Sequence, residues 1–219
     1  MTGEFQDRID AGRRLAARLA GFRTDDVVVL GLPRGGGPVA AEVARALDAP
    51  LDVIVVRKLG VPFWPEVAMG AIGEGGARML DEGLIAALDI TPAQIHAVEQ
   101  TEMHTLTARC AVLREGSDRV DLSGRTVLII DDGIATGATA SVACQIARSL
   151  GALRVLVAAP VSAPDAVARV QGADGVICLL QPEGFRAVGE HYRDFGQTSE
   201  EEVVALLAAA GTHGRSPPR

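Results

Sequence analysis

The run Val127-Leu-Ile-Ile-Asp-Asp-Gly-Ile-Ala-Thr-Gly-Ala-Thr139 constrains this chain more than any other segment. It begins with four apolar residues, mostly β-branched, and reads as a strand buried on both faces. Two adjacent carboxylates, Asp131 and Asp132, follow at its carboxyl end, where open α/β sheets bind ligands. A loop of small residues comes next, then a helical stretch from about Ala138 to Leu150. The N–H groups of Ala135, Thr136, Gly137, Ala138 and Thr139 can point at one phosphate, aided by the positive end of the helix dipole. Thr136 and Thr139 add hydroxyl donors, and Gly137 lets the backbone come close without a Cβ in the way. The two carboxylates can accept hydrogen bonds from vicinal hydroxyls or hold a hydrated Mg²⁺. A plainer reading has the aspartates forming a turn and Thr136 capping the helix.

Other apolar runs place the remaining elements. A helix is expected over Phe5 to Leu19 and a buried strand over Val27 to Leu30. The turn Gly31-Leu-Pro-Arg-Gly-Gly-Gly37 then opens a helix from about Val39 to Leu47. In that turn, the backbone of Gly35 and Gly36 and the cation of Arg34 suit an anion. A solvated Arg34 in a glycine-rich connection is the alternative. Asp52 to Val56 reads as a strand with Arg57 and Lys58 at its end. A long loop from Leu59 to Gly76 follows, with a short strand near Ala68 to Ile72. A short helix is expected near Asp81 to Ala87. A longer one carries Thr91 as N-cap, Pro92 at its first position and Gln94 closing a capping box, and should run to about Leu113. Strands at Arg154 to Ala159 and Val176 to Leu180 flank a helix at Ala163 to Val170, and a last helix starts near Thr198. Strands alternating with helices, each strand continuously apolar, imply an α/β fold: a parallel twisted sheet with helices on both faces.

Composition narrows the partners. A net charge of −7 over 219 residues argues against nucleic-acid binding, which needs a basic footprint. No apolar run reaches membrane-spanning length. The N-terminus is amphipathic and carries acidic residues, unlike a secretory signal. Cys110, Cys144 and Cys178 show neither metal nor disulfide spacing. They read as reduced, mostly buried residues of a cytoplasmic protein. Aromatics make up 3% of the chain, so the late cluster Phe185, His191, Tyr192 and Phe195 stands out. These rings either stack on a ligand or pack on the sheet edge.

The segment Val127 to Thr139 resembles the phosphoribosyl-pyrophosphate (PRPP) loop of the type I phosphoribosyltransferases. That pattern is an apolar strand, two acidic residues, two mostly apolar positions, then small-Thr-Gly-any-Thr. The resemblance implies the Rossmann-like fold of that family. It divides the chain into a core over residues 1–80 and 122–210 and a helical hood insertion over 81–121; the short, polar, Pro-containing tail over 211–219 is expected to be disordered. The resemblance implies transfer of the 5-phosphoribosyl group from PRPP to a nitrogenous acceptor, such as a nucleobase, with release of pyrophosphate and dependence on Mg²⁺. Asp131 and Asp132 would serve the ribose hydroxyls and the metal. Leu32 to Gly36 resembles the family's pyrophosphate loop, which often holds a non-proline cis peptide; here that is the Pro33–Arg34 bond. Arg34, Arg57 and Lys58 would neutralise the leaving pyrophosphate, and Leu59 to Gly76 matches the family's closing catalytic loop.

The family pattern departs at Ala135, where the 6-oxopurine enzymes carry an Asp, and at Ala158-Ala-Pro-Val161, where they use a Lys. A hypoxanthine or guanine acceptor is therefore disfavoured. No general base stands out among Glu66, Glu74, Glu99, Glu102 and His104, and Arg78 is not selected by any spacing. A PRPP- or nucleotide-sensing regulator of the same fold is the alternative function. A PRPP synthetase would need an ATP site that the sequence does not show. The acceptor and the oligomeric state, a homodimer included, stay open.

Overall fold

The computed structural model describes residues 4–23, 25–115 and 118–211. Seven helices occur among them: α1 Arg8–Leu19, α2 Gly36–Leu47, α3 Glu82–Ala87, α4 Pro92–Arg114, α5 Ala138–Ser149, α6 Ala166–Arg169 and α7 Glu200–Gly211. The strands are β1 Val27–Gly31, β2 Leu51–Val53, β3 Val56–Val61, β4 Trp64–Gly73, β5 Arg78–Leu80, β6 Thr126–Ile130, β7 Arg154–Val161 and β8 Gly175–Leu180. Five strands form a parallel sheet of order β2-β1-β6-β7-β8.

The continuous apolar runs behave as sheet geometry requires. Successive side chains point to opposite faces, and here both faces are covered. Val28, Leu30, Val127, Ile129, Val155 and Val157 pack with Val142, Ala143, Ile146 and Ala147 of α5. Their neighbours Val27, Val29, Leu128, Ile130, Leu156 and Ala158 pack with Leu15 and Leu19 of α1 and Val39, Val43 and Leu47 of α2. No strand residue of β1 or β6 is left for solvent except the half-buried Thr126.

Helix ends follow local chemistry. α1 starts later than Phe5 because the Asp7 carboxylate accepts from Asp10 N–H at 2.8 Å and caps it. α4 has the expected capping box: Thr91 Oγ1 accepts from Gln94 N–H at 3.3 Å, and Gln94 Oε1 accepts from Thr91 N–H at 2.9 Å. α6 is only one turn, shorter than Ala163 to Val170 suggested.

One region departs from expectation. The chain leaves the parallel sheet after Val53, and Arg57 and Lys58 lie inside β3 rather than at the end of β2. Leu59 to Gly76 is mostly not loop. β3, β4 and β5 form an antiparallel sheet whose first hairpin turns at Pro62 and Phe63. Gly60 and Gly70 serve close approach between the strands. A Cβ on Gly60 would stand 2.5 Å from Pro65 O, and one on Gly70 would stand 2.3 Å from Met79 O. Val55, Leu59, Val61, Met69 and Ile72 of this region bury against Ile85, Ile95, Leu106 and Leu113 of α3 and α4 and Val203 of α7. α3 and α4 thus pack on the small sheet, and α4 also on α7. Residues 212–219, most of the expected tail, lie outside the described residues.

An ionic clamp fixes the far end of α4. Arg114 donates to Asp52 at 3.0 Å, to both oxygens of Glu74 at 2.9 and 3.2 Å and to Val53 O at 2.8 Å. Glu74 also accepts from Val55 N–H at 3.0 Å and from Arg119. Burial pushes the Glu74 carboxyl up, but the Arg114 bonds and charge, the Val55 N–H and Arg119 outweigh it. Its carboxyl is held below the ordinary range.

Candidate active site

β1 and β6 are adjacent and parallel, with Gly31 opposite Ile130. From β1 the chain passes through α2 to β2 on one side; from β6 it passes through α5 to β7 on the other. The connections diverge between β1 and β6, so a crevice opens there at the carboxyl edge, the switch point where doubly wound sheets bind ligands. The two loops singled out from sequence follow these two strands. The structure therefore brings Asp131, Asp132 and the turn Leu32 to Gly36 together across about a hundred residues of chain.

The turn is fastened to β6: Leu32 N–H donates to Ile130 O at 2.9 Å, and Gly36 N–H returns to Leu32 O at 2.9 Å. The Pro33–Arg34 peptide is cis. The turn passes so close to the acidic pair that side chains are excluded. A Cβ on Gly35 would lie 2.1 Å from Asp132 Oδ2, and one on Gly36 would lie 2.5 Å from Ile130 O. Among the described residues, no hydrogen bond or ion pair engages the Arg34 side chain, which lies within electrostatic reach of Glu201 at the start of α7.

Beyond the carboxylates, Ala135, Thr136, Ala138 and Thr139 are exposed around a buried Gly137. Gly137 caps α5 with φ of +83°, a conformation that favours glycine. Ser141 Oγ donates to Gly137 O at 2.8 Å and accepts from Gln171 N–H at 2.9 Å, which fixes the cradle from behind. The first N–H groups of α5 have no acceptor within the helix; that of Ala138 donates to Thr136 Oγ1 at 3.4 Å.

Asp131 Oδ1 accepts from Asp132 N–H at 2.9 Å. Burial, and then the neighbouring Asp132 charge, push the Asp131 carboxyl well above the ordinary aspartate value. Asp132 is paired: Arg8 Nε donates to its Oδ2 at 2.8 Å. Tyr192 Oη donates to its main-chain oxygen at 2.6 Å. Arg8 also reaches Gly196 O at 2.6 Å and stands over the Phe195 ring at 3.9 Å. Phe5, Tyr192 and Phe195 form one ring cluster beside the pair. Of the late aromatics, Tyr192 is buried and touches Asp132, the partly exposed Phe195 carries Arg8, and Phe185 stacks on His191 at 5.6 Å.

Arg57 and Lys58 are not brought onto the acidic pair by any contact among the described residues. Arg57 pairs with Glu102 of α4 at 2.7 Å, and Lys58 Nζ donates to Glu66 O at 3.2 Å. Both line a cavity of about 590 Å³ between β3, the hairpin turn and α4. The acidic pair is not in its lining, so this cavity and the switch-point crevice have separate walls. The other carboxylates considered from sequence are occupied as well. Glu74 belongs to the buried clamp, Glu99 pairs with Arg78 at 2.5 Å, and Glu66 is fully exposed 3.7 Å from Lys58. Cys110 and Cys144 are free thiols pushed up by burial to about 11 and about 12, far from the thiolate form.

Arg8 and Tyr192 were not among the sequence-derived site residues. Arg8 sits in an unexceptional amphipathic helix, and only fold-level proximity reveals it. Tyr192 carried a signal, as the single tyrosine of an aromatic-poor chain. For Mg²⁺ the donor set is partial. Among the described residues no cluster of three or more His, Cys, Asp or Glu could hold a metal. Two carboxylates suit a Mg²⁺ that draws its other ligands from substrate oxygens, its usual habit.

A doubly wound parallel sheet whose acidic pair, glycine turn and helix-opening loop meet at one switch point places the protein among the α/β folds that bind ligands at that edge. The chain belongs to the phosphoribosyl transferase family, whose domain profile matches residues 2–181. It is 56% identical over 207 residues to two Mycobacterium tuberculosis proteins, from strains CDC 1551 and H37Rv, each provisionally named a phosphoribosyl transferase. The match covers 94% of this chain and 47% of those proteins, so the chain spans about half their length. The crystal structure of TT1426 from Thermus thermophilus superposes with a TM-score of 0.82 at 40% identity, covering 95% of this chain and 99% of that one. No helix among the described residues is long and apolar enough to cross a membrane.

Proposed function

We propose that the protein transfers the 5-phosphoribosyl group of PRPP to a nitrogenous acceptor and releases pyrophosphate, with Mg²⁺ required. The observation that carries this is the packing of Gly35 and Gly36 against Asp132 and Ile130. It brings the glycine turn against the acidic pair, which the loop Ala135 to Thr139 follows directly in sequence. The cradle of Ala135 to Thr139 takes the 5-phosphate, and Asp131 and Asp132 take the ribose hydroxyls. Arg34 with the Gly35 backbone takes the pyrophosphate; the Gly36 N–H, expected from sequence to join it, is already given to Leu32 O at 2.9 Å. In the reaction the acceptor nitrogen bonds to C1 while the C1–O bond breaks and its electron pair leaves with pyrophosphate. Donors already aimed at that oxygen lower the barrier because they need no reorganisation. Asp131 and Asp132 would hold Mg²⁺, which would supply charge neutralisation for the leaving group.

The helical segment 81–121 is proposed as the hood; the cavity between Arg57 and Glu102 lies apart from the acidic pair. Neutral Ala135 and the apolar end of β7, Ala158 to Val161, argue against a 6-oxopurine acceptor. A second reading, a PRPP sensor without turnover, draws on Arg57 and Lys58 being held by Glu102 and Glu66. Incubating the protein with Mg-PRPP and a panel of purines, pyrimidines, orotate and simple amines, and measuring released pyrophosphate, separates the two. Acceptor-dependent release supports the transferase; PRPP binding with no release from any acceptor supports the sensor.

A further inference from the structure

We propose that Arg8 is the resident counter-cation of the acidic pair and that Mg-PRPP binds by exchanging with it at Asp132. The inference rests on the PRPP reading above. Two adjacent carboxylates in a partly dry crevice need a positive partner, and Arg8 supplies it. Its Nε lies 2.8 Å from Asp132 Oδ2, and the two side chains are only 12% and 14% exposed. The same oxygen faces the anion turn, since a Cβ on Gly35 would be 2.1 Å from it. Oδ2 is therefore enclosed between Arg8 and Gly35. Asp131 Oδ1 is already engaged by Asp132 N–H at 2.9 Å.

Oδ2 lies between the guanidinium and the Gly35 backbone, so a hydrated cation reaches it by displacing Arg8. Mg²⁺ and Arg8 are like charges drawn to one carboxylate, so each weakens the other's hold on it. Arg8 has somewhere else to hold. It donates to Gly196 O at 2.6 Å and lies on the Phe195 ring. The N-terminal segment is itself bonded to residues 191–194, through Phe5 N–H to His191 O and Arg193 N–H to Phe5 O, both 2.9 Å. Arg8 thus positions Asp132 before the ligand arrives and sets how much Mg²⁺ is needed to displace it.

The test is calorimetric titration of PRPP into the full chain at stepped Mg²⁺ concentrations, for wild type, Arg8→Gln, Arg8→Ala and Arg14→Ala. Both Arg8 variants should lower the Mg²⁺ concentration that half-saturates PRPP binding by about tenfold, the effect of one charge-assisted hydrogen bond that no longer has to be broken. Arg14 is on the same helix but contacts Glu4 O and the Phe5 ring, so its variant should keep the wild-type midpoint. A merely structural Arg8 would weaken PRPP binding equally at every Mg²⁺ concentration and leave the midpoint unmoved, which would overturn the exchange. Should the shorter side chains fail to fold, Arg8→Lys keeps the charge without the planar fork and should give an intermediate midpoint; a wild-type midpoint there overturns the proposal. A denaturant-unfolding cycle of Arg8→Gln and Asp132→Asn in ligand-free protein must also show coupling between the two sites, and additivity would overturn it. Wild type that binds no PRPP at any Mg²⁺ concentration overturns the proposed function and the exchange together. Normal PRPP binding with an unmoved midpoint overturns the exchange alone.

Discussion

Alanine at Gly35 and alanine at Gly36 should fail in different ways, though the residues are neighbours in one turn. Gly36 faces backbone: its added Cβ would meet Ile130 O at 2.5 Å and Asp131 Cα at 3.0 Å. Neither atom can rotate away, so β1's turn and the end of β6 must separate by several tenths of an ångström. Overpacking of this kind costs about 1–3 kcal/mol. Restricting the unfolded chain returns roughly 0.4–1 kcal/mol. A net loss of about 1–2 kcal/mol corresponds to a Tm drop of about 2–8 °C for a chain of this size. Gly35 faces a side chain: its Cβ would lie 2.1 Å from Asp132 Oδ2 and 2.6 Å from Cγ. Its backbone is right-handed helical, with φ of −59° and ψ of −36°, so alanine brings no conformational strain. Asp132 must rotate out, away from both Arg8 and the crevice. PRPP affinity should then fall at least tenfold for one lost charge-assisted hydrogen bond, with a smaller change in Tm than at Gly36. Gly37→Ala, whose Cβ would meet only Val203, with Cγ2 nearest at 3.2 Å, is the control and should be near neutral in both assays. Thermal unfolding and PRPP calorimetry on the three variants decide it. A Gly36→Ala protein as stable as wild type, or a Gly35→Ala protein with unchanged PRPP affinity, would refute the close packing of the two loops.

Arg34→Ala should weaken PRPP binding much more than ribose 5-phosphate binding, because Arg34 acts on the pyrophosphate; equal losses for the two ligands would show it to be structural. Trp64 is 58% exposed beside Phe63 at the hairpin turn. Its emission should be that of a solvated indole and should shift to shorter wavelength when Mg-PRPP draws the hairpin down. An unmoved spectrum at calorimetric saturation would leave the hairpin outside the closing machinery. Arg114→Met should destabilise the fold by about 3–5 kcal/mol at neutral pH, because it leaves Asp52 and Glu74 buried without their main cation. The Glu74 carboxyl is depressed in the folded state, so its contribution is present above its ordinary value of 4.5 and is lost as pH falls through the folded value. The stability gap between wild type and Arg114→Met, followed by denaturant unfolding from pH 7 to pH 4, should therefore narrow on acidification; a gap that widens contradicts the clamp.

Apolar runs marked out the parallel sheet in advance because burial on both faces leaves almost no polar residue within a strand, the clamped Asp52 of β2 being the exception. The acidic pair and its cradle were legible for a related reason: strand, carboxylates, small loop and helix are contiguous in sequence. The hairpin was not legible. Pro62, Pro65 and the glycines signalled a loop, whereas Gly60 and Gly70 are there because paired strands approach too closely for a Cβ. The placement of Arg57 and Lys58 was lost with it. Arg8 was invisible because its meaning depends on a partner 124 residues away. Glu74 looked like a loop carboxylate open to catalysis and is instead a clamp residue, since its partners Arg114 and Arg119 come from the end of the long helix and just beyond it.

The central claim is that the crevice between β1 and β6 is a PRPP site built on the acidic pair. Its most direct measurement is calorimetric titration of Mg-PRPP into wild-type protein and into Asp132→Asn. Wild type should bind at one site per chain, and the Asp132→Asn protein, folded to the same Tm within a few degrees, should bind at least tenfold more weakly. Equal affinity in the two proteins, or no binding by wild type, would contradict the claim.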